Sequence, residues 1–339
     1  MRDLIALPKA ELHIHLEGSI RVDTLRELAG RRGASVSSAL GPDGSWSFAG
    51  HEQFIERYGE VCDLLHDLDE FRRIALELIQ DLASQGVRYA EVVFSPAQHA
   101  GRLGDAYGPI EAVLDGFAAG ERETGVVARL APDVIRDFGL QRAEETLEVA
   151  LRYVDRGVVS LNCAGSERGA IAPYSDIFRR AVEGGLHSTP HAGEWSPPAN
   201  VWETLEYLRP ERIGHGVRSF EDPRLVERLA ELRLPLEICP TSNVATGVYA
   251  TLEEHPFPRL RDAGVVVTIN SDDPAMFGSW VSDEYRVARE VFGYGDEDLA
   301  ELARAGVCAS FADGDVKAAI LSDIDAWLGA AEPGERATA

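Results

Sequence analysis

The stretch AELHIHLEGS, residues 10–19, places His13 and His15 one residue apart inside an apolar run. Residues i and i+2 of a strand point to the same face. If this run is a strand, both imidazoles aim together. A lone strand-end histidine is more often a packed or capping residue than a ligand. The reading of this pair, and of the fold, therefore depends on what the rest of the chain does.

Seven further β-branched runs follow: VRYAEVVFSP (87–96), VVARLAPDV (126–134), VVSLNCAG (158–165), LHSTPHAGE (186–194), RIGHGV (212–217), PLEICPTSN (235–243) and VVVTINSDDP (265–274). Most are separated by stretches with helical spacing. FRRIALELIQDLASQG (71–86) sets Phe71, Ile74, Ala75, Leu78, Ile79 and Leu82 on one face and stops at Gly86. AEETLEVALRYVDRG (143–157) behaves alike, and PRLVERLAELRLP (223–235) is bounded by Pro223 and Pro235. Eight strands alternating with helices predict a parallel α/β sheet. Eight units predict that it closes into a single (β/α)8 TIM barrel. No G-x-G-x-x-G follows a strand, which weakens a dinucleotide-binding alternative. Extra helices are expected in the long first crossover and at the C-terminus. The barrel is expected to occupy residues 1–330, with a frayed tail at 331–339.

Composition narrows the class. The 339 residues carry a formal charge of −24, an ordinary 45% of apolar residues and 27% charged residues. So acidic a surface repels nucleic acid and anionic membranes. It says nothing against a neutral small molecule. The four cysteines, Cys62, Cys163, Cys239 and Cys308, form no C-x-x-C pair, so reduced thiols are expected. Cys239 is expected to be a buried strand thiol. The opening MRDLIALPKAE is too short in its apolar part for a secretory h-region, and no run of about 18 apolar residues occurs. The expected location is cytoplasmic, and the sequence leaves the oligomeric state open.

In such a barrel catalytic residues lie at the C-terminal ends of the strands. The unusual polar residues fall there repeatedly. His13 and His15 end the first strand, His191 and Glu194 the fifth, His215 the sixth, and Asp272 and Asp273 the eighth. Neutral imidazole is a common Zn²⁺ ligand, and a third histidine and a carboxylate would complete a site with room for water. His191 and Asp272 are the natural candidates.

At this point the chain resembles the adenosine deaminase family of metal-dependent hydrolases. The resemblance is carried by LPKAELHIHLEGS, PHAGE, RIGHGV, CPTSN and TINSDDPAMFG, from residue 7 to about 285. It implies one Zn²⁺ per subunit, held by His13, His15, His191 and Asp272. His215 and Asp272 would orient the attacking water toward C6 of a purine, and Glu194 would shuttle a proton to ring N1. On the substrate side, His15, Glu17, Gly165 and Asp273 would contact the ligand. Asp273 would face N7, for which it must be protonated, and the Gly165 N–H would meet N3. The product would be of the inosine type, with ammonia released. Only Lys9 and Lys317 are lysines, and none lies on the fourth strand, so a carboxylated-lysine bridge between two metals is not expected.

The match departs from the family at instructive places. Relatives acting on adenosine follow H-x-H with Leu-Asp-Gly, whereas this chain has HLEG with Glu17. The family's D-L-A-G-D-E on strand four is NCAGSE here, with Asn162, Cys163 and Ser166. HLEG and FSPAQHAGR are similar to the adenine deaminases, with His99 either an exposed loop residue or a pocket residue. GHG, CPTSN and HSTPHAGE are similar to nucleoside deaminases, including those acting on aminodeoxyfutalosine, a nucleoside with a bulky 5′ substituent. The favoured substrate is an adenine nucleoside, adenosine or a 5′-modified analogue of it, with free adenine as the alternative. A non-catalytic purine-binding barrel is the remaining rival. It would be expected to have lost a ligand or the acid, and none is lost here. Loop 33–50 and helix 51–66 are lid candidates, where Phe54 and Tyr58 either face the substrate or simply pack.

Overall fold

The computed structural model describes residues 1–36 and 39–330, so the tail expected at 331–339 lies outside the described residues. The strands are β1 (Lys9–His15), β2 (Val87–Phe94), β3 (Val127–Ile135), β4 (Ser160–Ala164), β5 (His187–Ser188), β6 (His191–Ala192), β7 (Ile213–His215), β8 (Leu236–Ile238) and β9 (Val267–Ile269). All pairings are parallel, in the orders β1-β2-β3-β4-β5 and β6-β7-β8-β9. β5 and β6 are two halves of the fifth barrel strand, interrupted around Pro190. That proline has no N–H to give the ladder, yet its carbonyl accepts the Gly214 N–H at 3.0 Å while Thr189 N–H reaches Leu161 O at 3.1 Å. The two sheets are thereby continuous. At the other seam, Asp272 N–H donates to His13 O (3.0 Å) and His15 N–H to Asp272 O (2.8 Å). The ring of strands closes as a (β/α)8 TIM barrel, and it closes through the backbone of three chemically distinctive residues.

Each of the eight runs read from sequence contains a strand. Their buried, near-continuous apolar character is what parallel strands covered on both faces require. All seven residues of β1 are buried. The strands are shorter than the runs where turn chemistry intervenes. Pro240 starts a short helix, Pro240–Ala245, and Cys239 lies buried just before it, so it is not a strand thiol as expected. All four cysteines are free, with Cys308 exposed.

The first crossover carries α1 (Val22–Arg31), α2 (His51–Cys62) and α3 (Leu68–Ser84). The apolar stripe on α3 is buried as its spacing predicts. It packs closely on the helix Gly108–Thr124, because Gly116 lets the backbones approach: a Cβ there would lie 2.5 Å from Arg72 O. Additional helices follow β9 at the C-terminal side, among them Asp296–Ala309 and Gly314–Gly329. Among the described residues, no helix is long and apolar enough to cross a membrane.

Candidate active site

The strand ends bring His13, His15, His191 and Asp272 together: one potential ligand atom from each lies within 4.8 Å of the others. Asp272 Oδ1 is 3.4 Å from His13 Nε2 and 3.3 Å from His15 Nε2. His13 Nε2 is buried and has no hydrogen-bond partner, a costly condition for a polar atom. Its other nitrogen is already used, with Nδ1 2.9 Å from Glu237 Oε2. The Nε2 lone pair is thus left for a cation in the cluster. Burial disfavours a charged His13, but the adjacent carboxylates of Asp272 and Glu237 outweigh it and raise its pKa to about 10. The pocket draws positive charge, as a proton or as a metal ion.

His191 tells the same story from the opposite wall. Asn162 Oδ1 accepts the Cys163 N–H at 2.6 Å and lies 2.8 Å from His191 Nδ1. The amide oxygen therefore faces the ring, Nδ1 is the donor, and Nε2 keeps its lone pair. Burial, then the neighbouring imidazoles, hold His191 well below the usual histidine pKa. Two histidines and a carboxylate with unshared ligand atoms, plus His15 beside them, form a donor set that fits Zn²⁺.

The backbone bends to make this possible. His215 has φ 59° and Asp272 has φ 64°, both in the left-handed region that non-glycine residues seldom occupy. Ser242 Oγ donates to Asp272 Oδ2 at 2.6 Å. Asn243 Nδ2 donates to His215 Nδ1 at 3.3 Å, which leaves the proton of that ring on Nε2. This Nε2 lies 3.9 Å from Asp272 Oδ2 and 3.7 Å from Glu194 Oε2. Burial lowers His215 to about 3, so it is a neutral hydrogen-bond donor.

Glu194 sits just past β6. Glu167 holds that turn, accepting the N–H groups of Glu194 (3.2 Å), Trp195 (2.8 Å) and Ser196 (2.6 Å). Burial, with the charges of Asp272 and Glu167, pushes the Glu194 carboxyl well above the usual carboxylate range. It can carry a proton at neutral pH, the condition for a general acid. Asp273 is raised by burial and by the charge of Asp272, and its Oδ1 is buried without a partner. It packs against the backbone of Gly18: a Cβ there would fall 1.7 Å from Asp273 Oδ1. The glycine of HLEG is thus needed to seat that carboxyl.

Glu17 is buried, with Oε1 2.8 Å from His99 Nε2 and Oε2 accepting from Tyr58 Oη at 3.1 Å. His99 is a fully buried residue of α4 (Pro96–Leu103), and Arg102 donates to its Nδ1 at 3.0 Å. It is a pocket-wall residue and not an exposed loop residue. Gly165, at the end of β4, has φ 81°, and Ser166 N–H beside it binds Asp137 Oδ2 at 2.8 Å.

Several residues escaped the sequence reading. Glu237, Arg212 and Glu91 form a buried chain under His13, with Arg212 Nε 2.5 Å from Glu237 Oε1 and its other end on Glu91. Asn162, Glu167, Ser242 and Asn243 lay inside quoted motifs, but their orienting contacts depend on neighbouring strands. Asp133 had one signal, a carboxylate near the end of the third run. It is buried near His15 and Glu17, Oδ1 has no partner, and burial raises it to about 6.

Asp133 yields a stability prediction. Its folded pKa lies above the 3.8 of an ordinary aspartate. Between these values the native state holds the extra proton, so stability falls as pH rises through the window and stays lower above about 6. Asp133→Asn should therefore raise Tm at pH 7.5, and the gain should vanish toward pH 4. Thermal melts across that range check it. An equal shift at both ends would remove the titration argument.

The comparisons agree with this geometry. The family model for adenosine deaminase matches residues 8–327. An aminodeoxyfutalosine deaminase of Streptomyces coelicolor is 44% identical, covering 96% of this chain and 88% of the relative. The structure of an adenine deaminase from Arthrobacter aurescens superposes with a TM-score of 0.89 at 30% identity, covering 95% of this chain and 99% of that one. A zinc-bound amidohydrolase from Burkholderia ambifaria gives 0.82 at 26% identity, covering 96% and 92%. With the acid, the imidazoles and the carboxylates gathered at one mouth of the barrel, the chain belongs to the adenosine deaminase family and is a hydrolytic deaminase.

Proposed function

We propose that this enzyme removes the 6-amino group of an adenine nucleoside carrying a modified 5′ position, of the aminodeoxyfutalosine type. The products are the inosine-type nucleoside and ammonia. The observation that carries the reading is the similarity along nearly the whole chain to an aminodeoxyfutalosine deaminase. The pocket chemistry supports it. Glu17 and Asp133 put two acidic groups beside His15, which disfavours a phosphate there.

His13, His15, His191 and Asp272 are the residues that would hold one Zn²⁺ per subunit. Such an ion, when bound, lowers the pKa of the attacking water and so makes a nucleophile available at neutral pH. His215 and Asp272 orient that water toward C6. Glu194 gives its proton to N1, which draws electrons from C6 as the oxygen adds. Protonated Asp273 donates to N7. The Gly165 N–H meets N3, and His15 and Glu17 border the ring and the ribose. The C6–N bond breaks as the leaving nitrogen takes the proton of the added hydroxyl and departs as ammonia, C6–O becomes a carbonyl, and Glu194 is reloaded with the other proton of the water.

A second reading, free adenine, is favoured by the Arthrobacter structure and by Glu17, whose two oxygens already serve Tyr58 and His99. A panel of adenine, adenosine, 2′-deoxyadenosine, methylthioadenosine, S-adenosylhomocysteine and aminodeoxyfutalosine decides between them. Loss of the adenine chromophore should be fastest with aminodeoxyfutalosine, by about tenfold or more in kcat/KM, a gap of roughly 1.4 kcal/mol. Turnover of adenine alone would overturn the nucleoside reading.

A further inference from the structure

His255 belongs to none of the strand-end motifs, yet it is buried and joined to one of them. It stands in the stretch HPFP (255–258), just before the short helix Phe257–Asp262. Pro256 and Pro258 have no N–H, so the Phe257 N–H is the first donor that helix presents. It donates to His255 Nδ1 at 3.2 Å. A backbone N–H can only donate, so Nδ1 accepts and the ring proton stands on Nε2. Burial, then the charge of Arg259, lowers His255 to about 3, so the neutral ring carries one proton. The rings of Tyr249 and Phe292 flank it, at 5.0 Å and 6.2 Å between centroids.

Two further assignments follow from that proton. His255 Nε2 lies 3.1 Å from one end of the Asn243 amide, and a donor there requires the amide oxygen. The other end, Nδ2, then points at His215 Nδ1, 3.3 Å away. Two donors cannot share one line, so His215 Nδ1 accepts and its own proton lies on Nε2. His255, Asn243 and His215 are 2%, 0% and 1% exposed, so bulk water offers none of them a substitute partner. Were the amide turned over, its oxygen would face His215 and draw the proton to Nδ1. Nε2 would then present a lone pair to the site. The His215 ring is 4.7 Å from that of His13 and 5.2 Å from that of His191, close enough for that lone pair to compete as a ligand.

We infer that His255 acts through Asn243 to hold the His215 proton on Nε2, which makes His255 a positioning residue of the reaction. His215 thereby donates to the attacking water and stays out of the metal's ligand set. The Phe257 N–H anchors the relay, because a backbone donor cannot turn over as an amide or an imidazole can. The inference rests on the role given to His215 above and is independent of which adenine compound is bound.

Ring-¹⁵N-labelled histidine in the intact zinc enzyme reports each tautomer, because long-range ¹H–¹⁵N correlations separate a protonated ring nitrogen from one with a lone pair. His215→Gln and His255→Gln identify the two rings by the signals they remove. The native enzyme should carry both protons on Nε2. His255→Phe keeps a ring and removes the donor. It should shift the His215 proton toward Nδ1 and lower kcat by about 10–100-fold with KM little changed, the scale of losing an outer-shell partner. Rates are read with the fastest substrate of the panel above. His255→Gln can still donate from its amide, and should keep the His215 tautomer and most of the rate. Asn243→Asp nearly matches the native shape but only accepts. It should put a proton on His215 Nδ1 and lower kcat on the order of 10²–10³-fold, the worth of one oriented donor. Should His255→Phe fail to fold, Asn243→Asp and the native tautomers decide. A native His215 or His255 protonated on Nδ1 would overturn the relay. So would a folded His255→Phe enzyme whose His215 keeps its Nε2 proton, whatever its rate. A tautomer that moves with undiminished rate supports the relay and removes instead the part given to His215 in the reaction.

Discussion

Glu194→Gln should keep its metal and lose roughly 10²–10⁴-fold in kcat, the usual contribution of a positioned general acid–base group. Glutamine matches the shape of the side chain and can still hydrogen-bond, but it cannot release a proton to N1. The backbone of residue 194 is held by Glu167, which the substitution leaves in place. Metal content by atomic absorption and single-turnover rates separate the two consequences. A variant with full metal and undiminished rate would remove Glu194 from the reaction. The native enzyme should also lose rate at high pH, when the raised Glu194 carboxyl gives up its proton. Burial is the main cause of that raised value, so the limb should lie well above the ordinary glutamate range.

Asp272→Asn is the second experiment with a large expected effect. Asparagine tolerates the left-handed backbone that φ 64° demands, as alanine or valine do less readily. The change therefore isolates the charge from the strain. Without it His13 and His15 lose the carboxylate 3.3–3.4 Å away, and the cluster loses its pull on a cation. Metal affinity, read by competition with a chelator, should fall on the order of a hundredfold, and activity on the order of a thousandfold, since metal-assisted charge stabilisation is worth several kcal/mol. Retained affinity would show that three imidazoles suffice and that the strained turn at Asp272 serves another end. Stripping the native enzyme with the same chelator should lower Tm, because an ion that binds only the folded state stabilises it.

The architecture was unusually legible. Apolar runs of strand length, each closed by polar residues and each followed by a helical stripe, admit few arrangements other than a parallel barrel. Chain order then places the strand ends at one rim. That is why His13, His15, His191, His215, Glu194 and the SDDP carboxylates could be named before any coordinates: the period of a strand and the topology of the barrel do most of the work. His99 could not be assigned, because its burial depends on Phe71 and Phe94 closing around it, at 4.8 Å and 5.6 Å between ring centroids. Cys239 lies one residue past β8, since the proline after it starts a helix and ends the strand.

The sequence by itself determined the fold class and which imidazoles and carboxyl groups gather at one rim, because these follow from local periodicity and residue chemistry. Only the tertiary structure decided which nitrogen of each histidine is free. That depends on Glu237, Asn162 and Asn243, residues 224, 29 and 28 positions from their partners. It also decided that α2 turns His51, Phe54 and Tyr58 toward the site rather than away. A helix face acquires meaning only from what it packs against, and the residues beneath this one come from the first, fifth and eighth strand ends. Hydrogen-bond partners and roofs are pairwise facts between distant segments, and no single stretch of the chain contains them.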